Sequence, residues 1–574
     1  MNEMKLLPTN KEEIQERGWE ALDVIFATAD AYCDHPSFGV ALLSRFLEAK
    51  GYRVGILAQP DWRKRDDFLK LGQPRLFFGV TAGNLDSMLN IYTSHLNFRK
   101  HDKYSPGGLL GLRPKLPTIV YANRLREIYP KTPLVIGGIE ASLRRLSYYD
   151  FWSDKVRRSI LFDAKADILV YGMGERPLFE IATRLAKGEP VGEINNVRGT
   201  VISRPDLSFL KNPVVLPSLD EVISDKHKFI QAFNLYTNEL DSLTARPVVQ
   251  KTDTRFCVQL PPAEPLSERE MDALYDLPFS RRCHSSYDKF GGVPALKTVE
   301  TSITSHRGCA GSCSFCSLSL HQGRRVTSRS IASIVREAQS LAEEKDFKGV
   351  LSDVGGPTAN MYAVRCLINH KCTKGDCLWP QVCRNFEVDY DKQIQMLESL
   401  RSLKGVNKVN IQSGVRYDLL LLPKAQKYFK MLCQYHVSGQ LKIAPEHVSD
   451  KVLRLMHKPP FKLYERFLQV YKALNKELGK DQFLAQYFIT AHPGCDLNDA
   501  KLLAEFTKKM GYVPEQLQDF IPLPMTRSSV MYHTGLDPDT GKPLSVAKKG
   551  SQRTIQREMV QGLKKRSRAL NPLT

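Results

Sequence analysis

Cys309, Cys313 and Cys316 form a C-x3-C-x2-C triplet inside Arg307-Gly308-Cys309-Ala310-Gly311-Ser312-Cys313-Ser314-Phe315-Cys316, with no fourth cysteine close by. Closed structural zinc and iron-sulfur sites take four protein ligands, whereas a site built for chemistry keeps a coordination position open. The spacing therefore fits a [4Fe-4S] cluster whose fourth iron is left for an exogenous ligand. Disulfide bonding, a zinc site completed by a distant residue and three buried thiols are the alternatives. Three is an odd number for pairing, and Gly, Ala and Ser spacers suit a loop wrapped around a cofactor.

A second group, Cys366, Cys372, Cys377 and Cys383, is spaced C-x5-C-x4-C-x5-C, with His370 as a substitute ligand. Four thiols in one loop are enough for zinc or an auxiliary iron-sulfur centre, and an unmetallated loop is the alternative. Cys33, Cys257, Cys283, Cys433 and Cys495 are scattered and read as packing or loop thiols.

The elements that must position these residues alternate strand and helix. Strand runs at 21–29, 52–57, 75–80, 134–136 and 168–171, with helices at 38–49 and 176–185, predict a doubly wound α/β unit over 1–189. Prolines punctuate 190–297, which reads as a connecting module with helices near 218–240 and 267–275. From residue 298 to 525 strands at 300–305, 349–353, 408–412, 441–444, 483–490 and 517–521 alternate with helices at 331–344, 392–403, 424–435, 464–478 and 499–510. That pattern predicts a partial (β/α)6 TIM-type barrel with a Cys-rich insertion at 357–388. A basic extension, 526–574, follows and carries Lys542, Lys548, Lys549, Arg553, Arg557, Lys564, Lys565, Arg566 and Arg568; it reads as a phosphate-binding segment or a flexible end.

The triplet resembles the radical S-adenosylmethionine (SAM) signature. Its surroundings narrow the resemblance: Leu277-Pro278-Phe279-Ser280-Arg281-Arg282-Cys283-His284 upstream, Ser317-Leu318-Ser319-Leu320-His321-Gln322-Gly323 downstream, then Gly355-Gly356-Pro357-Thr358-Ala359-Asn360-Met361-Tyr362 and Ala444-Pro445-Glu446-His447. Together they are similar to the YgiQ-type radical SAM proteins over nearly the whole chain. The resemblance implies a [4Fe-4S] cluster on Cys309, Cys313 and Cys316, SAM on its open iron, a one-electron reductant such as flavodoxin or ferredoxin, and an N-terminal cobalamin-binding-like domain ahead of a radical SAM barrel. It also implies SAM contacts: Gly355 and Gly356 beside the amino group, with Ser413, Arg416 and Glu446 near ribose or carboxylate, and the His492-Pro493-Gly494 loop on the adenine side. Pro357 departs from the common Gly-Gly-Glu pattern. The cobalamin motif D-x-H-x-x-G is also missing, since Asp34 and His35 are adjacent and Gly39 lies four beyond His35; this argues against cobalamin as a cofactor.

Composition sets the remaining bounds. With 574 residues and 42% apolar content the chain can build several cores. Lys and Arg number 82 against 62 Asp and Glu, a net charge of +20, so an anionic substrate or RNA would be attracted to the surface. A methylthiotransferase-like RNA modifier is one alternative, from the likeness of Lys451-Val452-Leu453-Arg454-Leu455-Met456 to a helix of that group; a non-catalytic metalloprotein binding nucleic acid is another. The polar start and the short apolar run at 21–29 predict no membrane association and a cytoplasmic location in which all 12 cysteines stay reduced.

Overall fold

The computed structural model describes residues 5–368, 372, 376–511 and 516–562; His370 and the basic residues Lys564, Lys565, Arg566 and Arg568 lie outside them. Among the described residues, the N-terminal part is built on a nine-stranded sheet. Its parallel portion runs Val54–Ala58, Val24–Thr28, Phe77–Thr81, Leu134–Gly137 and Ile168–Val170 in spatial order. Side chains alternate across a strand, and here both faces are covered. Val24 and Phe26 pack on one side with Leu47, Leu178 and Ile181, while Ile25 and Ala27 pack on the other with Tyr121 and Leu125. Burial on both faces is why the strand reads as an unbroken apolar run.

The sheet continues past residue 189. Thr200–Arg204, Arg255–Gln259, Val248–Thr252 and Val214–Val215 extend it, the first three antiparallel in turn. The segment expected only to connect thus supplies four of the nine strands.

The second part is a curved succession of parallel strands: Ser302–Thr304 beside Asp353–Gly355, Val350–Leu351 beside Lys408–Val409, then Gln440–Glu446, Phe483–Thr490 and Gln516–Asp519. A bridge from Val415 to Ile443 joins the two sets. Ile303, Leu351, Val409, Leu441 and Ile443 point into a core closed by Ile334, Ile394, Phe429 and Phe467 from the outer helices; each such buried side chain is worth about 1.5–3 kcal/mol. The helix expected at 424–435 is broken. Gln426–Met431 is α-helical, and Leu432–His436 widens into a π turn. The wider turn brings the His436 ring to the Val409 carbonyl (2.8 Å) and its own carbonyl to the Ile411 N–H (2.9 Å), anchoring the helix end to a strand.

The C-terminal extension is ordered as far as it is described. Helix Gly550–Gln561 packs on Leu497–Met510. Arg553 is buried and donates to the Tyr532 hydroxyl and the Lys548 carbonyl, both at 3.0 Å, and Arg557 pairs with Asp519 at 3.0 Å. Two of the basic residues read as a flexible end therefore have structural partners. The reading of Cys33 and Cys283 as separate thiols is likewise corrected: they form a disulfide. Segments 32–34 and 281–284 run antiparallel, with Asp34 N–H donating to the Arg282 carbonyl and Arg281 N–H to the Asp34 carbonyl, which sets the two sulfurs side by side. Among the described residues, no helix is long and apolar enough to cross a membrane.

Candidate functional site

The cysteine loop leaves the first barrel strand through His306–Arg307, which pairs with Thr327–Ser328, so that residues 308–326 form a closed loop. Gly308 makes the turn possible. Its φ is +84°, and a Cβ there would lie 2.2 Å from the Arg325 carbonyl oxygen. The Gly308 N–H donates to Gln322 Oε1 (3.1 Å) and the Cys309 N–H to the Gly323 carbonyl (3.1 Å). At the other end Ser314, a spacer between the second and third cysteines, donates its N–H to the Met456 carbonyl and its hydroxyl to the Leu455 carbonyl (2.6 Å), and accepts from the Ser528 N–H. The three thiols are therefore presented by a loop fixed at both ends.

Those thiols converge. A Cβ on Gly311 would stand 3.4 Å from Cys309 Sγ, 3.9 Å from Cys313 Sγ and 3.3 Å from Arg416 Nη1. Arg416 Nη1 is 4.0 Å from Cys313 Sγ, and Thr358 Oγ1 is 3.7 Å from Cys309 Sγ. Burial, reinforced by Cys313, raises the Cys309 thiol and pushes Cys316 up to about 12. Three sulfur donors on one loop beside a fixed cation match the donor chemistry of an iron-sulfur cluster with one open iron.

The other expected residues separate into two groups. Gly355, Gly356 and Ser413 line a cavity of about 500 Å³; Arg416 and Glu446 sit instead around the thiols. Gly356 packs so closely on His306 that a Cβ would lie 2.6 Å from its carbonyl oxygen and 2.7 Å from Nε2. His306 Nε2 donates to the Thr358 carbonyl at 3.0 Å, leaving Nδ1 to accept from the Ser305 hydroxyl at 2.9 Å; burial keeps this ring neutral, with its pKa lowered to about 4. Ser413 gives its hydroxyl to Asp353, which also accepts the N–H groups of Gln412 (2.7 Å) and Ser413 (3.0 Å). Arg416 is held by Asp418 at 2.7 Å and exchanges backbone hydrogen bonds of 2.9 Å with both ends of the Asn360 amide. Glu446 has φ +68°, a conformation that costs a non-glycine residue about 1–3 kcal/mol and clusters at functional sites. Burial raises its carboxyl above the usual range against the pull of Lys458, 3.7 Å away. His492 is taken up structurally: its Nδ1 donates to the Pro493 carbonyl and its Nε2 meets the Ser528 hydroxyl at 2.7 Å.

The cavity lies where the carboxyl ends of the two sheets face each other. Thr81, Gly83, Gly137, Gly138, Gly172 and Glu175 border it from the N-terminal sheet, and His306, Arg307, His321, Asp353 and Ser413 from the barrel. Two contacts pin the cysteine loop across this junction: Arg307 to Glu175 at 2.6 Å, and His321 Nδ1 to the Ser142 hydroxyl at 3.0 Å. Asp353, His306, Asp418 and Glu175 escaped the sequence reading. Asp353 and Asp418 lie two residues from a named position, and that proximity was their one visible signal.

His35 stands apart. It is fully buried, does not line the cavity, and has Ser37 N–H 3.0 Å from Nδ1 and Arg281 Nη1 3.0 Å from Nε2. Nδ1 accepts from the Ser37 N–H, so the ring proton lies on Nε2, which meets the backbone of Glu300 and Val299; in this arrangement neither nitrogen offers a free lone pair to a metal.

Comparison with known proteins places these features. A family model described as "Radical SAM N-terminal" matches residues 6–302, and one described as "Radical SAM superfamily" matches 303–507. A UPF0313 protein of Clostridium botulinum is 47% identical over 564 residues, covering 98% of this chain and 87% of the relative. One of Methanosarcina acetivorans is 46% identical over 584 residues, covering 97% and 78%. The solved structure of the radical SAM methyltransferase TsrM from Kitasatospora setae, with cobalamin and a [4Fe-4S] cluster bound, shares the fold at a TM-score of 0.52 and 15% identity, covering 89% of this chain and 78% of that one. This likeness overturns the expectation against cobalamin. The missing D-x-H-x-x-G motif concerns how cobalt would be ligated; it does not determine whether this fold can hold the cofactor.

Proposed function

Since the chain belongs to the UPF0313 family of radical SAM enzymes, we propose that it binds a [4Fe-4S] cluster through Cys309, Cys313 and Cys316 and cleaves SAM reductively. The observation that carries this reading is the gathering of three half-buried thiols on one loop, with the Arg416 guanidinium from a later barrel segment set against them. When bound, the cluster and SAM supply the hard chemistry, a one-electron cleavage yielding methionine and a 5′-deoxyadenosyl radical that takes hydrogen from substrate.

The chain's own residues hold and orient. Arg416, fixed by Asp418, places a positive charge against the thiolates and offsets their mutual repulsion. Gly355 and Gly356 leave the main chain bare for the SAM amino group, and the His306 contact fixes where that main chain runs. Ser413, oriented by Asp353, presents its hydroxyl oxygen as an acceptor to the cavity. Glu446 and Lys458 bring a buried ion pair close to Cys316.

A corrinoid in the same cavity is supported by a specific feature, the bare main chain at the ends of the N-terminal strands. Because both His35 nitrogens are engaged, a corrinoid would bind here without that histidine on cobalt. Anaerobic incubation with dithionite and SAM, followed by chromatography, tests the central reading; 5′-deoxyadenosine is the expected product. Cluster-replete, SAM-binding protein that forms none with cell extract as the source of substrate would overturn it. Absorption spectra of protein equilibrated with hydroxocobalamin and freed of excess test the corrinoid, and a cobalamin-free spectrum would remove it.

A further inference from the structure

The insertion after the second barrel strand is organised around its cysteines. Hairpin strands Val364–Cys366 and Phe386–Val388 pair Cys366 with Phe386. Three residues before Phe386, Cys383 donates its N–H to the Cys377 carbonyl at 2.8 Å and accepts from the Phe386 N–H at 2.9 Å. Cys366, Cys372 and Cys383 all lie near enough to act electrostatically on Cys377, and all four thiols are half-buried. The quartet therefore gathers at one end of the hairpin.

Its inner side meets the first cysteine site. Ala310, Met361, Leu378 and Leu419 form a small apolar cluster, and Cys309 and Cys377 both pack against it. Trp379, two residues beyond Cys377, stacks on His457 with ring centroids 5.2 Å apart; His457 follows Met456, whose carbonyl accepts from Ser314 in the cysteine loop.

We infer that Cys366, Cys372, Cys377 and Cys383 hold a second iron-sulfur cluster, packed beside the first. Four thiolates complete such a cluster without an open iron, so this centre would not bind SAM. One observation favours an iron-sulfur cluster over zinc: Cys377 and Cys309 pack on one apolar cluster, which sets the two sites side by side as electron exchange requires, and zinc has no redox chemistry to use that placement.

Metal and sulfide analysis of the anaerobically reconstituted full chain tests the assignment. Wild type should carry about six to eight irons, the Cys309→Ala/Cys313→Ala/Cys316→Ala variant about two to four, and the Cys366→Ser/Cys372→Ser/Cys377→Ser/Cys383→Ser variant about four. The first variant should also keep a reducible cluster signal in electron paramagnetic resonance that SAM does not alter. About four irons in wild type and none in the first variant would overturn the proposal, as would stoichiometric zinc in place of iron. Should the second variant fail to fold, wild type and the first variant decide alone. SAM cleavage is read separately, so loss of one assignment leaves the other standing.

Discussion

The two faces of the cavity are built from different materials. On the barrel side, polar groups are fixed by partners: Asp353 holds Ser413 at the cavity wall, and behind it, around the thiols, Arg416 pairs with Asp418 and Glu446 with Lys458. On the N-terminal side the border is glycine and apolar side chains, among them Val80, Ile136 and Val170, at the ends of parallel strands. The first face should be sensitive to chemistry at constant volume and the second to volume at constant chemistry.

Replacing Cys309, Cys313 and Cys316 with alanine should give the largest effect, reducing SAM cleavage to assay background, because the cluster they would hold supplies that chemistry. Arg416→Met keeps much of the volume but leaves Asp418 buried without its partner. Denaturant unfolding should show a loss of about 3–5 kcal/mol, and Asp418→Asn in the same background should recover part of it. Gly308→Ala should cost at least about 1–3 kcal/mol for its φ of +84°, with the clash on the Arg325 carbonyl oxygen adding to this, and should lower the iron bound per chain. Across the cavity, Gly39 lines the wall with open space around a built Cβ. Gly39→Trp should weaken binding of SAM or hydroxocobalamin by roughly tenfold, about 1.4 kcal/mol, while iron content and melting temperature stay unchanged. If Gly39→Trp removed the cluster instead, the division between the faces would collapse.

The smallest expected effect is on pH. Burial pushes the Cys316 thiol up to about 12, so the metal-free site is protonated at neutral pH and must release that proton to bind iron. Iron incorporation should therefore rise with pH from mildly acidic to mildly alkaline buffer, and a flat profile would show that loss of this proton does not limit assembly.

What could be read in advance follows the same physics. Strand Phe483–Thr490 falls where its apolar run predicted, because burial on a parallel sheet leaves a local signature. Strands Thr200–Arg204, Val248–Thr252 and Arg255–Gln259 were hidden. Pro205 and Pro247 directly abut them, and the proline pattern of a loop was visible where the antiparallel edge of the sheet was not. The Cys33–Cys283 pair is separated by 250 residues, and no local pattern encodes such a contact. The cysteine triplet was legible because its ligands are close in sequence. Asp353, Asp418 and Glu175 act by supporting other side chains, a role that requires the tertiary structure to be seen.

Because Glu175 and Arg307 meet at 2.6 Å across a cavity walled by both parts of the chain, whatever occupies that cavity also acts as a fastener. Its binding free energy is added to the equilibrium that keeps the two parts together, about 2.7 kcal/mol at a ligand concentration one hundred times Kd. A ligand in that cavity would thus tie the integrity of the molecule to its own supply, and a chain lacking it would open more readily at the seam between its halves.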